Sequence, residues 1–78
     1  MLSMEQIRQR QKDQLSKLLE WVGSQKRLAD ELGESKQTVH NWIKRGRISA
    51  TAAILVEEKT AGLFKKSDLR PDVVEWRE

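Results

Sequence analysis

The chain has 78 residues, a net charge of +3, no cysteine and a single histidine. That length holds one small domain around a single core, with little stability in reserve. The composition excludes a disulfide frame, a thiolate metal site and a zinc cluster, and no apolar run approaches the roughly 20 residues of a membrane span.

The N-terminus, MLSMEQIRQRQ, has no apolar core of the kind a signal peptide carries, so a soluble intracellular protein is expected. Leu15, Leu18, Leu19 and Val22 then fall at i, i+3, i+4 and i+7, the stripe of an amphipathic helix. Ile7 lies about two turns earlier, and Ser3 with Gln6 has the spacing of a capping box, so the first helix is predicted from about Met4 to Val22. Its upstream part, residues 8–14, contains no apolar side chain, and residues 1–14 read as a polar extension of that helix. Three uses stand open for it: a longer helix packed on a partner, a basic arm along a phosphate backbone, or disordered sequence. A partly ordered helix is the favoured form.

Gly23 stops the first helix and the Ser24 hydroxyl can cap the next, predicted at about Gln25 to Leu32 with Leu28, Ala29 and Leu32 inward. Gly33 supplies a left-handed turn, and a third helix at about 35–45 carries Val39, Trp42 and Ile43 as its inner stripe before Gly46 ends it. Ser49 caps a fourth helix at about 50–60, where Ala53, Ile54, Leu55 and Val56 close the core and Gly62 terminates it. In the tail, residues 63–78, Ser67 is expected to cap one turn, Asp68-Leu69-Arg70, interrupted by Pro71. Val73, Val74 and Trp76 form a last apolar segment that either contacts a second copy or packs within the chain; Trp21 reads as boundary packing. The expectation is an all-α bundle of four to five helices.

Charge is unevenly placed along this string: +1 over residues 1–23, +3 over 24–47 and −1 over 48–78. A basic middle suits a nucleic-acid face, and equally a solvated surface. The sequence of that middle, QKRLADELGESKQTVHNWIKRGR, is more specific. Two short helices around a glycine must cross steeply, and Ala29 keeps the crossing close. Leu28 and Leu32 are expected to meet Val39 and Trp42 across it, so Leu28, Ala29, Leu32, Gly33, Val39 and Trp42 are structural positions.

The outer face of the third helix collects Lys36, Gln37, His40, Asn41 and Lys44, candidates for reading bases. Gln and Asn can pair with adenine, Lys with guanine or phosphate, and His can donate or accept. Ser24, Gln25 and Ser35 stand at helix starts where backbone N–H groups can receive phosphate, and Arg45 and Arg47 can clamp it at the other end. The pattern is that of a helix-turn-helix over residues 15–62. The scattered carboxylates, with neither a glycine-rich phosphate loop nor a nucleophile–base pair, speak against an enzyme.

Gly23-Ser24-Gln25, Leu28-Ala29, Leu32-Gly33, Ser35-Lys36-Gln37-Thr38-Val39, Asn41-Trp42 and Lys44-Arg45-Gly46-Arg47 together resemble the Cro and YdaS-like group of phage and bacterial regulators. Thr60-Ala61-Gly62 and Asp68-Leu69-Arg70-Pro71-Asp72 resemble the tail of that group, so the likeness covers about residues 15–74. The resemblance implies a small lambda-repressor-like fold, a homodimer on a palindromic operator, and a recognition helix at residues 35–44. The polar residues 1–14 depart from the pattern. The expectation is thus a sequence-specific binder of double-stranded DNA, a transcriptional regulator and most often a repressor. It is expected in the cytoplasm, on the nucleoid when bound, without cofactor, small-molecule ligand, metal or membrane. The alternative keeps the scaffold as a protein-interaction module, antitoxin-like or polymerase-directed, with the extension and tail as its binding parts.

Overall fold

Ser3 opens the first helix with a reciprocal cap. Its hydroxyl accepts from the Gln6 backbone N–H at 3.1 Å, while Gln6 Oε1 accepts from the Ser3 N–H at 2.9 Å. From that cap, α1 (Met4–Val22) runs without a break to Gly23 in the computed structural model, which describes residues 3–76. Met1 and Leu2 of the extension, and Arg77 and Glu78 of the tail, lie outside the described residues. The order continues α2 (Gln25–Leu32), α3 (Lys36–Arg45), α4 (Ala50–Lys59), α5 (Lys66–Leu69) and a 3-10 turn at Val74–Trp76. Among the described residues no strand forms, and the molecule is an all-α bundle with principal extents of 35 × 25 × 18 Å.

Local chemistry sets these boundaries. Ser24, Ser35 and Ser49 each accept from the backbone N–H three residues on, at 3.1–3.2 Å, and so start α2, α3 and α4. Gly33 ends α2 in the left-handed region at φ 67°, its N–H and that of Glu34 both reaching the Ala29 carbonyl. Three residues, Gly33, Glu34 and Ser35, therefore turn the chain from α2 into α3, and these two helices form the most extensive contact between elements.

The core gathers Leu15 and Leu18 of α1, Leu28, Ala29 and Leu32 of α2, and Val39 and Trp42 of α3, all buried as expected. Ala52, Ala53 and Val56 join from α4, Ile48 from the link before it, and Phe64 and Leu69 from the tail. Trp42 is 2 % exposed and is a core residue, not a stacking platform.

Three expectations are corrected. Ile54 points outward, 38 % exposed, and Ala52 takes the inner position, because α4 is apolar nearly all round and its alanines fit closest to the core. Ser67 does not cap the tail turn: α5 starts at Lys66, whose backbone N–H donates to Glu57 Oε2 of α4 at 2.7 Å. α4 ends at Thr60 before Gly62 is reached, with the Thr60 hydroxyl donating to the Val56 carbonyl and Ala61 at φ 52°. Among the described residues, no helix is long and apolar enough to cross a membrane, and no group of side chains is placed to hold a metal ion.

Candidate nucleic-acid interface

Burial of Val39 and Trp42, with Ile43 and Thr38 half-buried, fixes which way α3 faces. The opposite side is exposed and carries Lys36, Gln37, His40, Asn41, Lys44 and Arg45. Positions 36, 40 and 44, and 37 and 41, follow the i, i+4 repeat, so the five candidate base readers form two adjacent rows along one face. No large exposed apolar side chain stands among them; among the described residues those lie at Met4, Trp21, Ile54, Leu63 and Val74.

The two amides on that face hold each other. Gln37 Nε2 donates to Asn41 Oδ1 at 3.1 Å, which leaves Gln37 Oε1 and the Asn41 amide hydrogens for an outside partner. Gln37 and Asn41 thus present one acceptor and donors side by side, the complement of an adenine edge in the major groove.

Ser24 and Ser35 are both committed as caps, and the Ser35 hydroxyl also lies 2.9 Å from that of Thr38. Each cap satisfies one N–H of its helix start, and the remaining first-turn N–H groups have no intrahelical acceptor. Gln25 of α2 and Lys36, Gln37 and His40 of α3 line one shallow depression between the two helix starts. The first residues of α2 and α3 therefore border one depression beside the α3 face, each helix start carrying the partial positive charge of its N-terminus.

At the far end of α3, Lys44 and Arg45 sit in the last turn, where cations oppose the negative end of the helix dipole. Arg45 Nε donates to the Asn41 carbonyl at 3.4 Å, using one of its five N–H groups. Arg47 is half-exposed and lies 3.7 Å from Asp72 Oδ2, an ion contact without a hydrogen bond.

Asp72 anchors a network that the sequence reading missed. Arg70 donates to both its oxygens at 2.8 Å and to the Ile48 carbonyl at 3.1 Å, and Gln11 Nε2 donates to Oδ1 at 2.8 Å. The Arg70 hydrogen bonds hold the Asp72 carboxyl below its ordinary value against the opposing effect of burial, and the same bonds raise Arg70. This tie joins the middle of α1, the exit from α3 and the tail. Gln11 is 4 % exposed, one turn after Ile7 and one before Leu15. Its place in that stripe was a readable signal of burial, masked by its polarity.

The remaining tryptophans divide. Trp76 is half-buried against the core of its own chain, with Lys66 Nζ 5.3 Å from its ring centroid. Trp21 is 58 % exposed and tilted against Phe64 at 5.7 Å between centroids, bordering a groove with Arg27, Glu31 and Lys59 away from the α3 face.

Residues 15–78 match the family model described as bacterial toxin YdaS. No curated protein and no solved structure matches the chain.

Proposed function

The chain belongs to the bacterial toxin YdaS family, and on that premise we propose that it is a sequence-specific binder of double-stranded DNA that regulates transcription. The single observation that carries this reading is the exposed face of α3: Lys36, Gln37, His40, Asn41 and Lys44 in two helical rows, with no apolar anchor among them. Such a face complements base edges and phosphates, whereas a protein-binding face concentrates aromatic and aliphatic anchors.

In this reading α3 enters the major groove, Gln37 and Asn41 read an adenine, and Lys36, His40 and Lys44 contact neighbouring bases or phosphates. Ser24, Gln25 and Ser35 present helix-start N–H groups to one phosphate, and Arg45 and Arg47 hold another at the opposite end. Two protomers bind a palindrome with their third helices roughly 34 Å apart, and occupancy of a promoter represses it. The activity is binding, with no catalytic step. A protein that occupies promoters a cell needs is harmful without any chemistry, which accommodates the family's description as a toxin.

A second reading has one observation in its favour, the exposed Trp21 beside its groove, which suits a helix-turn-helix scaffold that binds a protein. The experiment that separates the two is a titration of fluorescent duplex DNA at low and high salt. Salt-sensitive binding that Trp21→Ala leaves intact and Asn41→Ala weakens is the expected result; no salt-sensitive binding at micromolar protein contradicts the DNA reading.

A further inference from the structure

The N-terminal half of α1 delivers a cation to the exit of α3. Lys12 is exposed, yet its stem lies across Gly46: a Cβ on that glycine would stand 2.8 Å from Lys12 Cγ, 3.3 Å from Cδ and 3.7 Å from Cε. The placement is held by neighbours on the same helix. Ile7 and Gln11 are buried on the adjoining stripe, and the Gln11–Asp72 hydrogen bond fixes the roll of α1 about its axis. Gly46, at φ 79°, offers a backbone with no side chain in the way.

Arg45 and Arg47 are the chain neighbours of that same glycine, Arg45 reaching back to the Asn41 carbonyl and Arg47 toward Asp72, so the Lys12 stem crosses the backbone between two arginines. Among the described residues both ion pairs end on Asp72, and neither involves Lys12 or Arg45. Arg47 touches Asp72 only at 3.7 Å, whereas Arg70 holds both oxygens of that carboxylate with bonds of 2.8 Å. Arg47 can therefore turn to another anion and leave Asp72 neutralised. The carboxylate next to Lys12, Asp13, is occupied on a different face of α1, accepting from Gln9 Nε2 at 2.9 Å.

We infer that Lys12, Arg45 and Arg47 form one clamp for a phosphate of the DNA backbone, which makes α1 part of the DNA-contacting surface. Arg8, one turn before Lys12 on the same face, continues the track toward the next phosphate. Arg10 does not belong to it: it lies with Gln6, Gln9, Asp13, Gln14 and Lys17 on another side of the helix. The clamp rests on the DNA-binding reading above and extends it to residues outside the helix-turn-helix.

The test is the salt dependence of affinity for one random and one selected duplex, measured by anisotropy for the wild type, Lys12→Gln, Lys12→Arg and Arg10→Gln, with helical circular dichroism as a check on folding. Lys12→Gln is expected to weaken both duplexes by the same factor and to flatten the slope of log affinity against log salt by about 0.9, one phosphate contact. Lys12→Arg and Arg10→Gln are expected to keep the wild-type slope. A wild-type slope in Lys12→Gln, or an equal loss in Arg10→Gln, overturns the clamp while DNA binding by the wild type stands. Absence of salt-sensitive binding by the wild type overturns both.

Discussion

At the scale of single residues, the proposed interface separates positions that hold the fold from positions that meet DNA. Trp42 of α3 is a core side chain at 2 % exposure, and Trp42→Ala is expected to cost about 3–5 kcal/mol of stability in denaturant unfolding. Gln37 and Asn41 are exposed and bond only to each other side chain to side chain, so Gln37→Ala or Asn41→Ala is expected to leave the unfolding midpoint within error. Each should cost about 1–3 kcal/mol of discrimination between selected and random DNA in competition binding. Equal loss on both duplexes would show that the pair does not read bases. Gly46 belongs to both groups. An alanine there meets a left-handed backbone, worth roughly 1–2 kcal/mol, and displaces the Lys12 stem, so stability and salt slope should fall together.

At the scale of elements, the helix-turn-helix was legible because its signals are local. Serine caps, Gly33 and the Leu28, Ala29 and Leu32 spacing all act within a few residues of the structure they determine. The fourth helix was harder. Ala53, Ile54, Leu55 and Val56 are consecutive apolar residues, so no period marks the inner face, and only packing places Ala52 inside and Ile54 outside. The start of α5 was illegible for a different reason: its first N–H is satisfied by Glu57, nine residues away on another helix. Glu57→Ala is expected to loosen that turn at a cost of about 1 kcal/mol, the usual worth of a cap, read as a lower thermal midpoint.

The Asp72 tie is an element-scale device with a pH signature. Its carboxyl is held below the ordinary value of 3.8 chiefly by the Arg70 hydrogen bonds. A depressed folded-state value means that the contribution to stability is fully present above the unfolded value and is lost as pH falls from there through the folded one. Acid unfolding of the wild type should therefore steepen below about pH 4 through this group, and Asp72→Asn should be less stable at neutral pH with that part of the acid dependence removed. An unchanged acid limb in Asp72→Asn would show that the tie carries no stability. No sequence pattern joins Gln11 to Asp72, since 61 residues separate them and both are polar. What was visible was the stripe position of Gln11, between Ile7 and Leu15.

At the scale of the whole molecule, the chain folds its ends against its middle. The N-terminal half of α1 is anchored through Gln11 to the segment after α5, and both lie next to the exit of α3. The described parts of the extension and the tail are therefore tied together beside the exit of α3, and in the proposed clamp Lys12 adds its charge to the DNA-contacting surface. The candidate base readers were legible in the sequence as types on one helical face, and the i, i+4 spacing of Gln37 and Asn41 permits their pairing; the approach of Lys12 to Gly46 depends on tertiary packing, which no spacing encodes. The whole proposed function turns on α3 reading a DNA sequence. The decisive measurement selects duplexes from a random pool with the wild-type protein, then competes the selected duplex against a scrambled one for wild type, Gln37→Ala and Asn41→Ala. An enriched, two-fold symmetric site with half-sites about one helical turn apart is expected, preferred by the wild type and much less so by either variant. Recovery of no shared sequence, or a preference that Gln37→Ala and Asn41→Ala both retain in full, would contradict it.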